Sequence, residues 1–208
     1  MDSKKSDDIR KKLCAISKKS MKILETQRLI LREIVESDDE FMLDLLNQPS
    51  FIKYIGDRNV RSLEQAREFI ENRYRASYAE HGFGLYAVEL KDEFNTLTHA
   101  RVSAFSDQSQ IPNPKSQIGI CGFVKRDTLP DADIGFAFLP QFEKKGYAFE
   151  SADAMMKYGA SVLGLKRVLA ITTQDNESSG KLLTKIGFKF DKLIDSSGET
   201  LKLFSADI

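Results

Sequence analysis

The chain has 208 residues and sets 31 Lys and Arg against 31 Asp and Glu, a formal charge of zero. That length suits one domain with room for an extension, and such a domain buries roughly 70% of its unfolded surface without a covalent staple. Charge balance removes a global electrostatic reason to bind nucleic acid or an anionic membrane, and no stretch approaches the roughly 18 apolar residues of a membrane span. Two cysteines far apart (Cys14, Cys121) and two histidines (His81, His99) exclude a zinc cluster and a disulfide framework. The expectation is a reducing, cytoplasmic setting and no metal.

Residues 1–25 carry eight basic side chains against four acidic ones and lack the continuous apolar core of a secretory signal. They read as a basic, flexible N-terminal extension. The domain proper is expected over 26–208. Leu29-Ile30-Leu31-Arg32-Glu33-Ile34 predicts a strand. Ser37-Asp38-Asp39-Glu40 reads as a capping box opening a helix that stops near Pro49. Ser62-Leu63-Glu64-Gln65 is a second box, followed by Ala66, Phe69, Ile70 and Tyr74 at helical spacing. Leu85–Leu90 predicts a strand. Lys91 to Ser116 is polar and irregular, a long inserted loop that reads as a surface excursion, a lid or a dimer contact.

Ile118–Val124 predicts a buried strand, and Ile134, Phe136 and Phe138 alternate along the next. A helix follows Gly146 and ends at Gly164. Val168–Thr172 predicts a strand, a helix runs from near Asn176 to Gly187, and Phe188, Phe190, Leu201, Leu203 and Phe204 suggest two closing strands. The fold class is therefore α/β with a mixed sheet and no internal repeat. Gly82-Phe83-Gly84-Leu85-Tyr86-Ala87 spells a loose dinucleotide fingerprint, but it leads into a strand rather than a helix, so the motif's mechanism fails. His81 reads as a loop residue before that strand, and Cys121 as a buried small hydrophobe.

The informative segment is the apolar strand ending at Phe138-Leu139, which runs through Pro140 into Glu143-Lys144-Lys145-Gly146-Tyr147-Ala148 and opens a helix. A helix start offers about four unpaired N–H groups and the positive end of a dipole. Gly146 permits close backbone approach, and Lys144 and Lys145 add charge. These features suit a pyrophosphate; a solvated strand-to-helix turn fits the residues equally. The second segment, Asn176 to Phe188, has the form NxxSxxLLxKxGF.

Together the two segments resemble the GNAT family of N-acetyltransferases, in the branch that includes the ribosomal-protein N-terminal acetyltransferases. Leu139-Pro140 followed by Lys145-Gly146-Tyr147-Ala148 is similar to that family's acetyl-CoA loop. The opening strand at 29–33 and the segment Phe51 to Arg58 also fit the branch, so the resemblance covers 26–208. The loop departs from the family pattern where Glu143 stands in place of Gln or Arg, and Lys144 stands where relatives often have Gly.

The resemblance implies a mostly antiparallel central sheet, flanked by helices, whose central strands splay near Phe138-Leu139 and Thr172. It implies acetyl-CoA as co-substrate, held by Phe138, Leu139, Lys144, Lys145, Gly146, Tyr147, Ala148, Asn176 and Ser179. A backbone N–H close to Phe138 would polarise the thioester, and a neutral amine would attack directly. Asn176 is a pantetheine contact or a plain helix N-cap, and Ser179 is an acid toward the departing thiolate or a surface hydroxyl. Asp133 is a candidate base, with Glu33 as a further one. Many relatives use Tyr as the acid where Leu183 stands. Expected partners are acetyl-CoA and an amine, whether a small molecule or a protein N-terminus; nucleic acid and membrane are not expected, and the chain would be a monomer or homodimer. The alternatives are an acyl-CoA-binding module without turnover, or an interaction protein using 1–25 and 91–116.

Overall fold

Alternating apolar runs separated by polar turns give short strands, and short strands survive only by sharing one sheet. In the computed structural model, which describes residues 20–92, 94, 117–196 and 198–208, that sheet has the order β1-β2-β3-β4-β5-β6-β8-β7. The strands are β1 (Lys22–Glu25), β2 (Leu29–Arg32), β3 (Leu85–Leu90), β4 (Gln117–Val124), β5 (Asp133–Phe138), β6 (Arg167–Thr173), β7 (Lys189–Ser196) and β8 (Glu199–Asp207). Neighbours are antiparallel except β5 and β6, which run parallel.

Helices cover both faces. α1 (Asp39–Leu46) and α2 (Pro49–Tyr54) precede α3, which runs over 63–81 as an α segment (Leu63–Phe69), a π segment (Ile70–Arg75) and a second α segment (Ala76–His81). α1 and α3 bury Met42, Leu45, Ala66 and Ile70 against Ala87, Ile120 and Leu139 of the sheet. On the opposite face α4 (Tyr147–Ser161) and α5 (Glu177–Lys185) bury Ala152, Met155 and Leu183 against Leu31, Val88, Phe123 and Ala170. Each fully buried large side chain contributes roughly 1.5–3 kcal/mol. No helix among the described residues is long and apolar enough to cross a membrane.

Several local expectations change. Lys22–Glu25, assigned to the flexible extension, forms the edge strand β1 on β2, because tertiary pairing outweighs a polar local sequence. The helix expected from the Ser37 box begins at Asp39. A 3-10 turn (Glu36–Asp38) comes first, and the Asp38 carboxylate folds back onto the Val35 N–H at 2.9 Å. At Ser62 the hydroxyl caps the helix by accepting from the Gln65 N–H, and the Gln65 Oε1 accepts in return from the Arg61 N–H, one residue before the cap. Pro49 does not only stop α1 but opens α2 from its first turn. His81 ends α3, with Gly82 in the left-handed conformation beyond it, so it is helical. Cys121 is buried and unpaired, as expected. Residues 1–19 with Cys14, and most of the 91–116 insertion with His99, lie outside the described residues.

A buried polar knot joins β2, β3, β4 and the turn before α1. Arg32 donates to both oxygens of Asp38 at 2.7 and 2.8 Å and to Glu89 at 2.9 Å; Gln117 donates to Asp38 at 2.9 Å. Burial works against the Arg32 charge, but the hydrogen bonds to Asp38 and Glu89 overcome it and raise its proton affinity.

Candidate functional site

β5 and β6 share a single paired position, Asp133 with Leu169. β5 stays laddered to β4 as far as Phe138 opposite Gly119, and β6 stays laddered to β8 as far as Thr173 opposite Leu201. Beyond Asp133 the two strands therefore turn unpaired edges toward each other and form a wedge, the splay expected near Phe138 and Thr172. The Leu139 N–H donates to Ile118 on β4 at 3.0 Å. Strand alternation then sends the Phe138 N–H the other way, into the wedge. Phe138 itself is fixed against Gly119, where a Cβ would meet its ring at 2.5 Å.

The wedge opens onto the mouth of α4. A 3-10 turn (Pro140–Phe142) leads to Lys144 at φ +58° and Gly146 at φ +84°, so the chain reverses in two left-handed steps. The first N–H groups of α4 have no intrahelical carbonyl, and Lys144, Lys145 and Gly146 are exposed around them. Tyr147 is buried and Ala148 half-buried, so these two anchor the turn from below. Glu143 is exposed and forms no ion pair among the described residues.

Sequence reasoning missed what holds this turn. The Arg28 Nε donates to Glu150 at 2.6 Å, its Nη1 donates to the Lys145 carbonyl at 3.1 Å, and its guanidinium lies 4.5 Å from the Tyr147 ring centre. Thr26 and the Arg28 N–H also donate to Glu150. Burial raises the Glu150 carboxyl, but these hydrogen bonds outweigh it and hold it below its ordinary value. A depressed carboxylate stabilises the fold above its unfolded value, near 4.5, and loses that contribution as pH falls through the folded value. Glu150→Gln is therefore expected to lower the thermal midpoint at pH 7, and the gap to wild type should shrink below pH 4.5 in scans across pH. A gap that is constant from pH 7 to pH 3 would disprove the charged clamp.

On the β6 side, the Asn176 Oδ1 accepts from the Ser179 N–H at 3.1 Å. Asn176 thus is the N-cap of α5, and its amide N–H2 remains for a ligand. Ser179 is half-buried one turn on, and its hydroxyl has no partner among the described residues. Leu183 is buried in the core beneath. Thr172 was not singled out from sequence, yet its hydroxyl is buried without a hydrogen-bond partner among the described residues, at the open part of β6. A buried orphan hydroxyl beside an unpaired strand edge fits a polar ligand in the wedge.

The two base candidates separate. Asp133 lies at the closed end of the wedge, 1% exposed, and accepts from the Arg126 Nε at 2.8 Å. Burial raises its carboxyl and Arg126 opposes that. Glu33 follows β2, half-buried; burial raises its carboxyl and Arg75 opposes.

Comparison with known proteins agrees with this architecture. Residues 28–189 match the model of the acetyltransferase (GNAT) domain. The uncharacterized N-acetyltransferase YoaA of Bacillus subtilis is 32% identical over 168 residues, spanning 80% of this chain and 82% of that protein. The ribosomal protein uS5-alanine N-acetyltransferase of Escherichia coli is 29% identical over 93 residues, 44% of this chain and 48% of that one. The crystal structure of spermidine N-acetyltransferase from Vibrio cholerae, in complex with CoA and spermine, superposes with a TM-score of 0.64 at 16% identity, covering 88% of this chain and 96% of that chain, and so shares the fold.

Proposed function

Because this chain belongs to the GNAT family of N-acetyltransferases, we propose that it moves the acetyl group of acetyl-CoA onto a primary amine by direct attack, without a covalent enzyme intermediate. The observation that carries this reading is the wedge, paired only at Asp133 and Leu169 and opening onto the left-handed turn at Gly146. Its residues fit the ligand. The N–H groups at the mouth of α4, with Lys144 and Lys145, would hold the diphosphate, and Tyr147 and Ala148 would seat the turn. The unpaired edge at Phe138, the Asn176 amide and the Thr172 hydroxyl would take the pantetheine arm, and Leu139, whose N–H and carbonyl are bonded to Ile118 and the Phe142 N–H, would fix the strand end beside it. The thioester supplies the activated acetyl group.

The Phe138 N–H would stabilise negative charge on the acetyl oxygen. One proton must leave the attacking amine, and one must reach the sulfur as its bond to the acetyl carbon breaks. Asp133, five residues back along β5 from Phe138, would accept the first through a relay of solvent, and Ser179 would donate the second. A spermidine N-acetyltransferase shares the fold and a ribosomal protein uS5-alanine N-acetyltransferase is a relative, so the amine class is open at this point.

Calorimetry with acetyl-CoA at low salt, followed by release of free CoA thiol with an amine panel, tests the reading. One equivalent bound and amine-dependent thiol release are expected; no binding refutes it. Glu143 in the loop and Leu183 in place of an acid favour a second reading, an acyl-CoA-binding module without turnover. Thiol release with any amine excludes that one.

A further inference from the structure

We propose that the ion pair between Lys53 and Asp175 bars the mouth of the wedge on the face that α1 to α3 cover, so that the acceptor amine reaches the thioester only when the pair parts. This rests on the acetyltransferase reading and concerns access to that same site.

The bar follows from where its two ends are anchored. Lys53 stands on α2, whose Phe51 packs in one core with Leu139 at the end of β5 and Phe142 in the turn beyond it. Asp175 belongs to the other arm. Its Oδ1 accepts from the Thr173 hydroxyl at 2.8 Å, and Thr173 pairs with Leu201 of β8. The Gln174 carbonyl between them accepts from the Lys202 Nζ at 2.7 Å, again on β8. β5 and β6 are unpaired at this level, yet the Lys53 Nζ and the Asp175 Oδ2 meet at 2.8 Å. The pair therefore spans the gap between the two arms, one residue before the Asn176 cap. Among the described residues no other ion pair joins α2 to β6 or α5.

Access gives the position its consequence. α4, with the mouth that would take the diphosphate, lies on the opposite face of the sheet. With the bulk of the cofactor on that face and its arm filling the wedge, the amine is left the face of α2, which the pair crosses. The pair is also built to part. Both side chains are 58% exposed, and exposed pairs hold weakly. Each end keeps a second partner on its own arm. Lys53 donates to the Tyr54 hydroxyl at 3.2 Å and lies 4.6 Å from the centre of that ring, while Asp175 keeps Thr173. Parting therefore strands neither charge.

Cleavage of enzyme-bound acetyl-CoA by hydroxylamine, and by the bulkier O-benzylhydroxylamine, tests the proposal without the natural acceptor. In each case the nitrogen bonds to the acetyl carbon as the carbon–sulfur bond breaks, one proton passes from nitrogen to sulfur, and the free CoA thiol is read. With enzyme in excess, wild type should protect the thioester relative to free acetyl-CoA. Lys53→Gln and Asp175→Asn should each speed cleavage about two- to fivefold, more for the bulkier probe, the range that loss of an exposed pair supplies. Lys53→Asp/Asp175→Lys, which rebuilds the pair with its charges exchanged, should return to the wild-type rate. Calorimetry should give one dissociation constant for acetyl-CoA across all four proteins, which separates access from cofactor retention. Unchanged or slower cleavage in either single variant overturns the proposal, as does a gain that the exchanged pair keeps or that comes with weaker acetyl-CoA binding. Failure of wild type to bind acetyl-CoA removes the acetyltransferase reading beneath it.

Discussion

Replacing Gly146 with aspartate should raise the dissociation constant for acetyl-CoA about thirtyfold, roughly 2 kcal/mol, the worth of a charge-assisted hydrogen bond lost at the loop. Gly146 sits at φ +84° immediately before α4, a backbone that aspartate tolerates better than most residues. A Cβ there would lie 3.3 Å from the Arg28 Nη2, so the new carboxylate meets a cation and the fold is expected to survive. The same carboxylate neutralises Arg28 and opposes a diphosphate at the helix mouth. Gly146→Asn keeps the backbone conformation without the charge and should lose only a few-fold. Calorimetry of the two variants beside wild type separates charge from shape. Equal affinity in wild type and the aspartate variant would remove the diphosphate from this turn.

Removing the Asp38 carboxylate should destabilise the fold by about 3 kcal/mol, the scale of a broken buried ion pair. Asp38→Ala leaves the Arg32 guanidinium, 11% exposed at its side chain, with Glu89 as its remaining ion partner. It also strips the acceptor from the Val35 N–H and from Gln117. The check is the urea midpoint at constant m-value. The triple replacement Arg32→Met/Asp38→Leu/Glu89→Leu should recover part of the loss, because it removes every uncompensated charge of the knot, while the Val35 N–H and Gln117 still lack their acceptor. A single variant as stable as wild type would show that the knot contributes nothing. The knot fixes the turn that leads into α1, on the face of the sheet that α1 and α3 cover.

The family motifs lie in two continuous stretches of chain, and continuity is why they were legible. A left-handed turn opening a helix must be built from neighbouring residues, so Lys144 to Ala148 carries it in plain order. The same holds for the Asn176 cap, where an oxygen reaches an N–H three residues on. Strand and helix periods from Leu29 onward gave the mixed sheet, with β1 escaping notice because an edge strand need not alternate cleanly. The helix expected from Ser37 starts only at Asp39, because Asp38 closes a 3-10 turn onto the Val35 N–H and Arg32.

The residues that hold the site in shape come from distant parts of the chain. Arg28 reaches Glu150 across a separation of 122 residues, and Asp38 reaches Gln117 across 79. Thr172 is an ordinary strand residue until the parting of β5 and β6 leaves its hydroxyl without a partner. The amino-acid sequence by itself determined the local chemistry: which turns reverse, which helices start with free N–H groups, and which faces are apolar, because those depend on contacts within a few residues. The tertiary structure alone decided where two strands stop pairing and which charges meet there, because those depend on packing between segments whose separation along the chain carries no geometric information.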